Sequence, residues 1–182
     1  MRDSDFAGLQ VVAPASRLRL PSGRLVAAEP PGYFAAGEVD QWAFSETVPP
    51  GEYPVEILTK DDVVVGARVV VRPEPVHEWQ PAQRGGQDYV YPVDGGTGSF
   101  GSVEVFEALT DAEAAEDLIA DLSFDRHGPY SVYTDEENLI AFHLGGDGRY
   151  LSWVGYAEGG EVVCFFTDFG GLARRSEVEN PF

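Results

Sequence analysis

Cysteine is nearly missing from this chain. Cys164 stands alone, so no intramolecular disulfide and no Cys-x-x-Cys metal or redox motif can form. Lysine is as scarce: Lys60 is the single one, and the remaining basic residues are arginines, 12 basic side chains in all against 31 acidic ones. The resulting charge of −19 repels nucleic-acid phosphates and anionic lipid, so neither is an expected partner. The three histidines, His77, His127 and His143, lack the H-x-x-x-H type of spacing that holds zinc, so no metal site is expected. No catalytic residue and no cofactor are expected either. No apolar run approaches the ~20 residues of a membrane span, and the first residues lack the apolar stretch of a secretory leader. These absences together lead us to expect a cytoplasmic protein and no membrane partner.

What is present suits a globular domain. Apolar residues make up 43% and aromatics 12%, with three Trp, eight Tyr and eleven Phe, far too many for a disordered chain. A length of 182 residues fits one domain over 1–182, since domains run to roughly 100–200 residues. Residues 1–15 show no periodicity and read as a loose arm. Residues 17–80 read as N-terminal strands. Within them, 17–20 and 24–28 are short extended segments separated by Pro21-Ser22-Gly23, a turn sequence. Residues 52–59 alternate, with Tyr53, Val55 and Ile57 on one face, and Lys60-Asp61-Asp62 turns the chain into the β-branched run 63–72.

Helical character is confined to 102–123. Ser102 is placed to cap a short helix with Val103, Phe106 and Leu109 as its stripe. Thr110-Asp111-Ala112-Glu113 matches the capping box, and Ala115, Leu118, Ile119 and Leu122 follow on one face, with Glu116, Asp117 and Asp121 off it. The last third, 138–168, reads as three strands, 138–144, 149–156 and 161–168, with turns at Asp147-Gly148 and Gly159-Gly160. Paired as a meander, they place Ile140, Phe142, Leu144, Leu151, Trp153, Val162, Cys164 and Phe166 on one face, read as the core face. The other face then carries a row of His143, Ser152 and Thr167. The expected architecture is α+β, mainly β: antiparallel, sandwich-like sheets, one or two helices inserted mid-chain, and a C-terminal three-stranded meander.

Candidate chemistry is sparse. Asp94-Gly95-Gly96-Thr97-Gly98-Ser99 has the glycines and hydroxyls of a loop whose backbone N–H groups cradle a ligand, yet no P-loop lysine. A tight strand-to-helix turn explains the same residues. The row His143, Ser152, Thr167 offers a hydroxyl beside a base without a third, orienting group, because Asp168 alternates to the opposite face. Asp135-Glu136-Glu137 reads as a solvated turn.

Several segments taken in order resemble a known family. They are Leu20-Pro-Ser-Gly-Arg-Leu-Val, Val48-Pro-Pro-Gly-Glu-Tyr-Pro-Val, the Gly96-Thr-Gly-Ser-Phe turn with its acidic helix, Gly146-Asp-Gly, and Trp153-Val-Gly-Tyr with Phe165-Phe-Thr-Asp-Phe. This ordered set, over residues 18–169, resembles the bacterial domain of unknown function 4241. The family often has Cys where this chain has Ser99, and a Ser-rich, Trp-containing stretch where it has His143-Leu144-Gly145. The resemblance implies no activity, cofactor or catalytic residue.

Two functions follow as expectations. One is an acidic interaction protein that neutralises a basic protein partner, of toxin-immunity type. The alternative is a small enzyme or small-ligand-binding protein built on the turn 94–99. Its site would join Asp94, Thr97 and Ser99 to Trp153, Tyr156 and His143.

Overall fold

The computed structural model describes residues 3–14, 17–124, 129–134, 138–144 and 146–170. Its N-terminal half contains strands β1 (Gln10–Val12), β2 (Leu18–Leu20), β3 (Leu25–Ala28), β4 (Gly51–Tyr53), β5 (Val55–Lys60) and β6 (Val63–Val70). Next come β7 (Glu78–Pro81), β8 (Gln83–Arg84), β9 (Gln87–Asp88), β10 (Val90–Val93) and β11 (Thr97–Ser102). Helices α1 (Val103–Ala108) and α2 (Ala112–Phe124) follow, and β12 (Tyr130–Thr134), β13 (Asn138–His143), β14 (Gly148–Tyr156) and β15 (Val162–Asp168) complete the order. The architecture is α+β and mainly β, as expected.

A four-stranded antiparallel sheet, β12-β13-β11-β3, occupies the middle of the molecule. Its residues alternate between two separate cores, so apolar side chains are needed on both faces. Leu25, Phe100, Ile140 and Phe142 point into the first core, against Ile57, Val69, Val154 and Phe165 of the larger sheet. Val26, Leu139 and Ala141 point the other way, onto Phe106, Leu109 and Leu118 of the helical region. Each such side chain, fully buried, contributes about 1.5–3 kcal/mol. The layers therefore run large sheet, small sheet, helices.

The larger sheet has the order β1-β5-β6-β15-β14-β10, and β7 also pairs with β14. The expected hairpin is there: β5 and β6 pair antiparallel, turned by Asp61 and Asp62, both at positive φ. Tyr53, Val55 and Ile57 share the first core, as their alternation predicts. Residues 10–12, expected within a loose arm, instead pair with β5 as an edge strand. Phe6, just before them, stacks on Trp79 at 5.6 Å and meets Phe166 edge-on at 5.2 Å.

The expected C-terminal meander needs two corrections. Its second and third strands pair in the predicted register: Ser152 opposite Thr167, Trp153 opposite Phe166, Gly155 opposite Cys164. The first strand, β13, is not their neighbour. It pairs with β11 and β12 in the small sheet, so Phe142 does not adjoin Trp153 and His143 is not in the Ser152–Thr167 row. Residues 138–142 are buried on both faces, which suits an interior strand with layers above and below. The second correction concerns which face is inner. Val154 and Phe165, with Ser152 and Thr167 alongside, face the shared core, whereas Trp153 and Phe166 lie on the outer face, where Phe6 and Trp79 cover Phe166.

Candidate interaction surface

The helical layer is built by two caps. The Ser102 hydroxyl accepts from the Val105 N–H at 3.1 Å and starts α1, as its position predicts. Asp111, rather than Thr110, starts α2: its Oδ1 accepts from the N–H groups of Glu113 and Ala114, both at 3.1 Å. The Thr110 hydroxyl instead donates to the Glu107 carbonyl at 2.8 Å, closing the end of α1. The expected capping box does not form. The cap falls one residue later, on Asp111, with Ala114 in the position a reciprocal Glu would need, because a carboxylate accepts two N–H groups more strongly than a hydroxyl accepts one.

Leu118 is fully buried on the second core, with Ala114 and Leu122 packed beside it. This sets the rotation of α2 and turns Glu113, Glu116, Asp117 and Asp121 outward, all exposed. Glu113, Asp117 and Asp121 are spaced by four residues and so lie in one row along the helix. Between residues 103 and 124 there are seven acidic side chains and no basic one. Asp121 stands in the last turn, where the helix dipole favours a cation, and that turn has no basic residue. Ile119, expected on the apolar face, is 41% exposed, on the flank of the helix beside Glu116 and away from the row of Glu113, Asp117 and Asp121.

The acids of α1 differ from those of α2. Glu107 accepts from the Gly37 N–H at 2.5 Å. Burial alone would raise the Glu104 carboxyl, but hydrogen bonds with Ser22 and Ser102 outweigh it and hold the group below its ordinary value. Both are engaged in holding the fold. No ion pair among the described residues involves Glu113, Glu116, Asp117 or Asp121.

The residues predicted for a glycine-loop site are dispersed. Asp94 and Gly95 form the exposed turn, but their N–H groups donate to the Glu29 carboxylate at 2.7 and 2.6 Å, so the protein's own anion fills the cradle. Thr97 and Ser99 lie in β11 on the helix side of the small sheet and are buried, and the Ser99 hydroxyl donates to the Ala28 carbonyl at 2.7 Å. The glycines that follow have packing reasons. A Cβ on Gly98 would press into the Phe142 ring, and one on Gly101 into Val105 and Phe106.

Trp153 lies on the outer face of the large sheet, separated from Thr97 by the whole first core. The Tyr156 hydroxyl donates to Glu46 at 2.9 Å, and burial, then that carboxylate, push its pKa up. His143 Nε2 lies 3.1 Å from the Ser131 hydroxyl, and His143 borders a groove of about 550 Å³ with Gln10, Thr59 and Asp62. Asp168 Oδ1 accepts from the Gly170 N–H at 2.9 Å. Ser152 and Thr167 hydrogen-bond each other at 2.9 Å in the core, a cross-strand polar pair. His127 and 135–137 lie outside the described residues. The Glu29 contact was invisible in sequence, because 65 residues separate it from Asp94.

A family model described as "Protein of unknown function (DUF4241)" matches residues 18–167. No curated protein and no solved structure matches the chain.

Proposed function

The chain belongs to the DUF4241 family, whose description assigns no activity, and from its own surface we propose an interaction protein that receives a basic protein partner on α2. The toxin-immunity type of action follows from this reading: an acidic face covers the basic functional surface of its partner and neutralises it. One observation carries it, the exposed row Glu113, Asp117, Asp121, with no basic side chain paired to it among the described residues.

Glu113, in the first turn, suits the helix dipole, but the rest of the row opposes its own helix. Like charges four residues apart cost about 0.2–0.5 kcal/mol per pair, and a carboxylate in the last turn costs about 0.3–1 kcal/mol against the dipole. A basic partner reverses the sign of both terms, while Ile119, exposed on the flank of the same helix beside Glu116, adds an apolar edge. The charge of −19 steers such a partner from a distance and disfavours nucleic acid. No helix among the described residues is long and apolar enough to cross a membrane. The lone, buried cysteine favours a reducing, cytoplasmic setting.

The test is capture from lysate on immobilised protein at low and high salt. The comparison is between wild type, a triple variant of α2 (Glu113→Gln, Asp117→Asn, Asp121→Asn) and a control losing equal charge elsewhere (Glu74→Gln, Glu158→Gln, Glu161→Gln). A basic protein retained at low salt by wild type and control, and lost by the α2 variant, supports the reading. Equal capture by all three, or by none, removes it.

A further inference from the structure

We infer that the protein has a second, separate site, in which Arg84 anchors the carboxylate of a small organic acid. The site lies where the 3₁₀ turn Val39–Trp42 meets the β8–β9 hairpin, across an open cavity of about 750 Å³. Arg84 sits over Trp42, its guanidinium carbon 3.8 Å from the ring centroid, with the Tyr89 ring at 5.9 Å. It is half-buried, yet among the described residues it pairs with no carboxylate, in a sequence with 31 acidic side chains. A cation–π contact over the ring engages the charge of the guanidinium without using up its fork of N–H donors, the group that matches a carboxylate.

The surroundings hold this arrangement in place. The Tyr89 hydroxyl donates to the Trp42 carbonyl at 2.6 Å, and the Tyr89 ring stacks on Phe44 at 4.1 Å, so the platform under Arg84 is fixed from the core. Arg24 lines the same cavity. Its terminal nitrogens are engaged by Asp40, while its Nε–H is buried without an acceptor. The cavity thus has one neutralised arginine and one unneutralised. Glu38 and Asp40 on its wall oppose a second negative charge, which favours a monoanionic carboxylate over a phosphate dianion. Gln87 adds a neutral polar group at the rim. This site is independent of the α2 surface and survives or fails apart from it.

Titration with sodium benzoate, benzamide and inorganic phosphate at constant ionic strength tests it, read from the three Trp indole N–H signals by NMR, with Trp42 assigned through Trp42→Phe. The expected result is a saturable shift of the Trp42 signal by benzoate with a Kd of about 1 mM, none by benzamide, and weaker binding of phosphate. Arg84→Gln should weaken benzoate by at least about tenfold, the loss expected of a charge-assisted pair. Arg84→Lys, which keeps the charge and loses the fork, should fall between. Unchanged signals elsewhere in the spectrum show that both variants remain folded. No saturable shift, an equal response to benzamide, tighter phosphate binding, or a benzoate affinity indifferent to Arg84→Gln overturns the proposal. If both variants unfold, wild-type discrimination of benzoate from benzamide and phosphate decides alone.

Discussion

Trp153 and Phe166 stand directly opposite each other on neighbouring strands, yet Phe166 is sealed from solvent and Trp153 only half-buried. Phe6 and Trp79 close over Phe166. Phe166→Ala should therefore cost about 3–5 kcal/mol, the usual range for a buried aromatic, and Trp153→Ala only about 1–3 kcal/mol. Urea titration of both variants checks this. A larger loss at Trp153 than at Phe166 would show that Phe6 and Trp79 do not seal Phe166.

Phe6→Ala removes two ring contacts, each worth about 0.5–1.5 kcal/mol. The variant should lose about 1–3 kcal/mol in the same titration. Stability unchanged from wild type would mean that the segment before β1 is not docked.

The helix caps give a sharper comparison between adjacent residues. Asp111→Ala removes the acceptor of two N–H groups and should cost about 1 kcal/mol. Thr110→Ala should cost less than about 0.5 kcal/mol, since its hydroxyl only donates to a carbonyl at the end of α1. Thermal melts of the two variants separate the outcomes, and the reverse order would restore the capping box that the sequence suggests.

How much of this was legible in sequence depended on distance along the chain. The β5–β6 hairpin, the Ser102 cap and the Ser152–Thr167 register follow from turns and alternation within a few residues, so local chemistry sufficed. The partners of β13 did not follow. A strand apolar on both faces says that it is interior without saying which strands flank it. The inner face of β14–β15 was equally hidden, because residues 163–168 of β15 are buried on both faces, and large side chains then fail to mark the core side. Of the candidate site, the acids of α2 were visible as off-face residues. The exposure of Ile119 depended on the rotation set by Leu118, and Glu29 filling the glycine turn depended on a long-range contact.

Alkaline pH should unfold the protein through its tyrosines. Burial pushes Tyr89 and Tyr91 upward, and burial followed by the Glu46 carboxylate does the same to Tyr156. Their folded values exceed the unfolded one, so the folded state binds more protons above about pH 10 and loses stability as pH rises further. Below that point these groups leave stability unchanged. Urea midpoints measured across this range should stay level and then fall. A midpoint that stays level well above pH 10 would contradict the burial of these rings.

The central claim is that the acidic row of α2 is kept for a partner at the expense of the helix. It is tested most directly by measuring both quantities on one variant, Glu113→Gln/Asp117→Asn/Asp121→Asn. Removing two like-charge pairs and the unfavourable C-terminal carboxylate, set against the loss of the favourable first-turn Glu113, should raise stability by about 0.4–1 kcal/mol, seen as a higher urea midpoint. Low-salt capture of the basic partner should be lost in the same variant. A variant that is more stable and still captures the partner as well as wild type does, or one that is less stable, would contradict the account.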